Sequence, residues 1–274
     1  MKTLICYCVG GLGNRLRPLS SAHAIAEATG RKLLVWWQPS PQHCVVHFKD
    51  MFTNELEFIT QDQFVEMGFP RSYDDSDNFL NLKARQDSLS NQFPKQQLRL
   101  DDPKEHVLAF GNSHLGLLDP NTERRFLKSL KPVPYIQQQI DEYRVKLNLS
   151  TNTIGVHARG TDLEIPLQFY LDRINAMHAA MPDRKFFVIS DDKIYKQIIL
   201  DLLPNHVVYY PCRDFTIRNS PEVNSWRYQD GFYNSLIPAE GIIDSIIEMY
   251  LMSYTDFAIY SESTFADMIL TLRN

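Results

Sequence analysis

The first 37 residues constrain the fold more than any other stretch. Thr3–Val9 is an apolar run of strand length, and Gly10-Gly11-Leu12-Gly13 breaks it. Asn14–Thr29 then sets Leu16, Leu19, Ala22, Ala26 and Thr29 along one side of a helix, Gly30 closes it, and Lys32–Trp37 is a second apolar run. This is a strand-loop-helix-strand unit with a glycine-rich turn. Such a turn lets main-chain N–H groups approach an anion, and the helix N-terminus adds its partial positive charge. A dinucleotide fingerprint is not met. Counting from Gly11, the third glycine is replaced by Leu16, and the second strand ends Trp36-Trp37-Gln38 with no acidic residue to hold a ribose.

The second half repeats the rhythm around Thr153-Ile154-Gly155-Val156-His157-Ala158-Arg159-Gly160-Thr161-Asp162. An apolar strand ends there in polar side chains, and ligands of open α/β sheets sit beyond the carboxyl ends of strands. His157, Arg159 and Asp162 project at that end, and an arginine there can fork two hydrogen bonds onto a phosphate. The competing reading is an ion pair of Arg159 with Asp162 or Glu164. The periodicity predicts helices over 121–130 (Asn121 as N-cap), 135–147, 167–181, 193–203, 238–253 and 263–272. It predicts further strands over 106–110, 185–190, 206–210 and 256–260. Residues 71–97 are a polar excursion, and 211–234 an irregular aromatic-bearing loop in which Trp226 and Tyr228 could stack on a sugar. Lys131-Pro132-Val133-Pro134 marks a boundary, since each proline excludes helix from the residue before it. The expectation is α/β, two Rossmann-like halves (1–132 and 133–274) facing across a cleft.

Composition narrows the function. A net charge of -5 over 274 residues gives no basic field for a nucleic-acid backbone. Cys6, Cys8, Cys44 and Cys212 form no metal pattern, and His43 and His47, four apart, lack a third partner. The opening apolar run is short and lacks a cleavage site, and nothing reaches the length of a membrane span. A reducing, cytoplasmic setting is expected. Ser190-Asp191-Asp192 could hold a divalent cation, but a helix N-cap with acidic residues favouring the dipole accounts for both carboxylates and is preferred.

Three blocks, in order, resemble the GT-B-type fucosyltransferase superfamily, which includes the nodulation and core α1,6-, the α1,2- and the protein O-fucosyltransferases. The first is Gly10-Gly11-Leu12-Gly13-Asn14-Arg15-Leu16 with Ala28-Thr29-Gly30-Arg31-Lys32-Leu33-Leu34-Val35-Trp36-Trp37. The second is His157-Ala158-Arg159-Gly160-Thr161-Asp162, similar to the family's H-x-R-x-(T/G)-D. The third runs from Ile242-Ile243-Asp244 through Ser261-Glu262-Ser263-Thr264-Phe265. Many members have a second arginine where this chain has Gly160.

The resemblance implies inverting transfer of fucose from GDP-fucose, a nucleotide-sugar donor, to a hydroxyl of an oligosaccharide or glycoconjugate, without metal or other cofactor. Peripheral contact with a membrane through a lipid-linked acceptor stays open. It implies a donor site from Gly11, Gly13, Asn14, Arg15, His157, Arg159, Asp244, Ser261, Ser263 and Thr264. Arg159 would neutralise the β-phosphate and Asp244 would face the guanine. Of the two acidic residues that follow the central strand, Glu164 and Asp162, the resemblance favours one a few positions after the motif, so Glu164 comes first and Asp162 second as base. Another nucleotide-sugar donor, or a non-catalytic binding module, is the alternative.

Overall fold

The structure is a computed structural model that describes residues 1–39, 44–68, 100–101, 103–110, 114–160, 165–212 and 238–273. The described residues divide into two compact units, one within Met1–Lys131 and the other within Pro132–Asn224 and Pro238–Asn274.

The first unit holds β1 (Thr3–Cys8), α1 (Leu12–Thr29), β2 (Lys32–Trp37), α2 (Gln61–Glu66), β3 (His106–Phe110) and α3 (Pro120–Ser129). Its parallel sheet has the order β2-β1-β3. Every residue of β1 is buried, because β1 is central and covered on both faces. On one face Tyr7, Trp36 and Phe64 stack, with Tyr7–Trp36 and Trp36–Phe64 centroids 4.4 Å apart. α1 packs on β1 and along α3. Cys6 and Cys8 share one face, as alternation requires, with sulfurs 3.7 Å apart.

Two local features differ from the sequence expectation. α2 is absent from it, although Thr60 and Gln63 form a reciprocal capping box. The N-cap of α3 is Asp119 rather than Asn121: its carboxylate accepts from Asn121 N and Thr122 N, and Pro120 occupies the first helical position.

The second unit holds α4 (Pro134–Lys146), β4 (Thr153–Ala158), α5 (Leu167–Ala180), β5 (Lys185–Ser190), α6 (Lys193–Leu202), β6 (Val207–Val208), α7 (Ala239–Ser253), β7 (Asp256–Tyr260) and α8 (Thr264–Arg273). Its parallel sheet has the order β6-β5-β4-β7. Ile154, Val156 and Ala158 of β4 pack with Tyr170, Ile174 and Ile199 of α5 and α6 in one fully buried cluster. Each such side chain contributes about 1.5–3 kcal/mol on burial, for the larger ones. β6 is only two residues long, shorter than the run 206–210 suggests. Among the described residues no helix is long and apolar enough to cross a membrane.

Both sheets share a topological property. In each, the chain leaves the central strand toward one side and later returns to fill the other. The crevices at these switch points, where ligands of open α/β sheets bind, lie outside the carboxyl ends of β1 and β3 in one unit and of β4 and β7 in the other.

Candidate functional site

In the first unit, Gly10 lies two residues beyond β1; its φ of 79° is left-handed and suits glycine alone, and a Cβ there would lie 3.2 Å from Asn14 Nδ2. Gly11 caps α1 without a side-chain bond, so Gly11, Gly13 and Asn14 surround a helix N-terminus. Asn14 Oδ1 is buried there with no hydrogen-bond partner among the described residues. Arg15 is turned inward at 1% exposure. Its Nε donates to Gly10 O (2.7 Å), one terminal nitrogen donates to Gln38 O (2.6 Å), and the guanidinium lies 5.0 Å over the Trp37 ring. Arg15 therefore ties the glycine turn to the end of β2, and its bearing on a ligand runs through the shape of that turn.

A second buried group shapes this rim. Glu123, 1% exposed, accepts from Ser21 Oγ (2.6 Å) and from the N–H groups of Gly116, Leu117 and Leu118 (3.0, 2.7 and 3.0 Å). Burial pushes its carboxyl upward, but the four donors outweigh that and leave it below its ordinary value. They also fix the segment that follows β3.

In the second unit the described part of the central block, residues 153–160, comprises β4 and the two residues after it. His157 is buried on β4, paired in register with Tyr260, and its ring lies 5.3 Å from Phe265. Arg159 follows the strand end. Its Nε stands 3.9 Å from Asp191 Oδ2, and both side chains are about one-fifth exposed (20% and 18%). The other oxygen of Asp191 accepts Gly160 N–H at 2.9 Å. Asp192 is the N-cap of α6, accepting from Ile194 N (2.7 Å) and Tyr195 N (3.1 Å). The cap reading of the acidic pair thus explains Asp192, whereas Asp191 accepts Gly160 N–H and stands beside Arg159. Among the described residues no three His, Cys, Asp or Glu side chains gather for a metal ion.

Gly160 has a physical reason. A Cβ there would lie 2.9 Å from both Cβ and Oδ2 of Asp192 and 3.1 Å from Tyr195 Cδ2, so α6 fills the space a side chain would need. Beyond β7, Ser261 is 5% exposed, and its Oγ is buried with no partner among the described residues. Ser263 Oγ accepts Ala266 N–H at 3.0 Å, capping α8, and Thr264 opens that helix. The switch-point crevice between β4 and β7 is therefore bordered by Arg159, His157, Ser261 and a helix N-terminus.

Asp244 lies deeper, on α7 at 2% exposure, with Tyr210 Oη 3.5 Å from its Oδ1. One turn along, Glu248 accepts from Cys212 Sγ (2.8 Å) and stands 3.8 Å from Lys196 Nζ. Burial pushes the Glu248 carboxyl up to about 7 against the pull of Lys196 and Cys212, and burial beside Glu248 pushes the Cys212 thiol up as well. Sequence reasoning missed Glu123, Tyr170, Lys196 and Glu248, whose signal was only a polar residue on an apolar helix face. Asp162 and Glu164, like His43, Trp226 and Tyr228, lie outside the described residues.

No family model and no curated protein matches the sequence. Solved structures do match in fold. The NodZ α-1,6-fucosyltransferase soaked with GDP-fucose superposes with a TM-score of 0.66 at 20% identity, over 99% of this chain and 93% of its own. POFUT1 in complex with GDP gives 0.58 at 14% identity, over 99% and 94%. Arabidopsis thaliana FUT1 with GDP gives 0.57 at 14%, over 99% and 68%. Along nearly its whole length, the chain has the α/β fold of these fucosyltransferases.

Proposed function

We propose that the protein is an inverting glycosyltransferase that moves fucose from GDP-fucose to a glycan hydroxyl without a metal. The observation that carries this is the group at the β4–β7 switch point: Arg159 held beside Asp191, with the buried Ser261 hydroxyl and the N-terminus of α8. As the anomeric bond breaks, negative charge develops on the departing β-phosphate. Arg159 neutralises it, while the α8 N-terminus and Ser263 and Thr264 hold the diphosphate. In the first unit, Gly11, Gly13 and Asn14 surround the α1 N-terminus, a second place suited to an anion, with Arg15 keeping their turn in shape. His157 lines the nucleotide, and Asp244 accepts hydrogen bonds from the guanine N1–H and N2–H. The acceptor proton passes to Glu164 or Asp162. The fold of the solved neighbours supports the same reading, since NodZ was soaked with GDP-fucose or co-crystallised with GDP, and POFUT1 was solved in complex with GDP.

Calorimetric titration of GDP and UDP with EDTA present, followed by GDP-fucose turnover against a panel of oligosaccharides, tests the reading. GDP binding that persists in EDTA and exceeds UDP binding is the expected result. Preference for UDP would give the site to another donor. GDP binding without sugar release on any acceptor or on water would make the chain a binding module.

A further inference from the structure

Tyr170 has no role in the reading above, yet it touches the residue on which that reading depends. It lies in the first turn of α5, fully buried in the core of the second unit. A phenol hydroxyl buried in such a core must find partners, because leaving it unpaired costs on the order of 1–3 kcal/mol. Its partners are both polar main-chain groups of one residue. Arg159 N–H donates to Tyr170 Oη at 2.9 Å, and Tyr170 Oη donates to Arg159 O at 3.3 Å.

Strand geometry gives this contact its meaning. The β4 ladder ends at Ala158, and the N–H and C=O of the next residue would ordinarily pair with a neighbouring strand. Here the tyrosine hydroxyl takes the place of that strand for one residue. On the next peptide, Asp191 accepts Gly160 N–H at 2.9 Å. Further on, Tyr195 Oη donates to Ile165 O at 3.1 Å. The main chain at Arg159 is thus held by side chains at hydrogen-bond distance, and the direction of its Cα–Cβ bond is set with it.

We infer that Tyr170 is the positioning residue of Arg159, aiming the guanidinium at the β-phosphate by clamping the Arg159 main chain; this rests on the donor-site reading above. Tyr170 touches neither donor nor acceptor. Removing its hydroxyl leaves the ring, and hence the core, in place, but lets the strand end relax. What suffers is the interaction with the β-phosphate alone.

The test is binding of GDP and of GMP, which lacks the β-phosphate, to wild type, Tyr170→Phe, Arg159→Ala and the double variant, with thermal unfolding of each as the check on folding. Tyr170→Phe should weaken GDP about 5- to 20-fold and leave GMP within twofold, and it should add nothing in the Arg159→Ala background. Equal losses for GDP and GMP, or a loss that persists without Arg159, would make Tyr170 a purely structural residue and overturn the inference. GDP affinity lost in Arg159→Ala but kept in Tyr170→Phe would overturn the clamp while sparing the donor site. A wild type that does not distinguish GDP from GMP would overturn the donor-site reading itself, and the inference with it.

Discussion

The two units carry the same three kinds of group, and they use two of them in opposite ways. Each has an arginine just past the central strand, a buried glutamate, and a buried oxygen with no partner among the described residues. In the first unit the arginine is spent on main-chain carbonyls and the glutamate on four donors. In the second the arginine stands at the crevice against one carboxylate, and the glutamate has a thiol and a lysine. Residue type alone does not assign a role. What assigns it is where the hydrogen bonds go.

The arginines give the largest expected contrast. Arg15→Ala strips Gly10 O and Gln38 O of donors and opens a cavity under Trp37, so it should cost roughly 3–5 kcal/mol of stability. Arg159→Ala should change stability by less than about 1 kcal/mol, because its ion pair is long and partly solvated. It should lower GDP-fucose turnover by about 10²–10³-fold, the range for losing one donor to a developing oxyanion. Thermal unfolding and turnover, measured on both variants, separate the two. Equal destabilisation by both would break the comparison.

The glutamates differ in the sign of their pH dependence. Glu123 is held below its ordinary value, so its stabilisation is present at neutral pH and is lost as pH falls through the acid range. Glu123→Gln should cost about 2–4 kcal/mol at pH 7, with the deficit shrinking in acid. Glu248 is raised from near 4.5 to about 7. Both states are protonated below the lower value, so the burden appears as pH rises through that window. Wild type should lose on the order of 2–3 kcal/mol relative to Glu248→Gln between pH 4.5 and pH 8. Unfolding curves across that range settle the matter: parallel pH profiles for wild type and Glu248→Gln would show that Glu248 is ionised throughout.

Much of this was legible in the sequence, for identifiable reasons. The β1–α1–β2 unit follows from periodicity, and the strand ending at Ala158 from an apolar run broken by polar residues. The glycine turn and the Arg159 position come with those elements, because chain ends of parallel strands are where ligand groups must be. The capping box of α2 and the Asp119-Pro120 start of α3 carry local signatures, Thr60 with Gln63 and an acidic N-cap before proline, that the longer apolar periodicities overlie. Arg15 and Arg159 could not be told apart. Their difference is made by Gln38, 23 positions from Arg15, and by Asp191, 32 positions from Arg159, contacts that only the folded sheet creates. Tyr170 read as core, which it is. That its hydroxyl reaches back to a strand end depends on how α5 crosses β4.

The orphan oxygens are where the two rims agree, and they give the smallest and sharpest effect. Asn14 Oδ1 and Ser261 Oγ are each buried beside a helix N-terminus without a partner among the described residues. A buried polar atom without a partner adds no stability, so, on the described residues, removing either one should not destabilise the fold. Ser261→Ala should leave stability unchanged or raise it by up to about 1 kcal/mol, and Asn14→Ala should gain a few tenths from helix propensity. Each should weaken GDP about 3- to 10-fold, the worth of roughly one hydrogen bond to a charged group, donated by the Ser261 hydroxyl or by the Asn14 amide nitrogen. Unfolding and GDP titration on the same two variants decide it. If both lose stability and neither loses affinity, these oxygens serve the fold through bonds of their own, and the likeness between the rims ends with their topology. If only Ser261→Ala loses affinity, the diphosphate rests on the second unit and the glycine turn serves another part of the reaction.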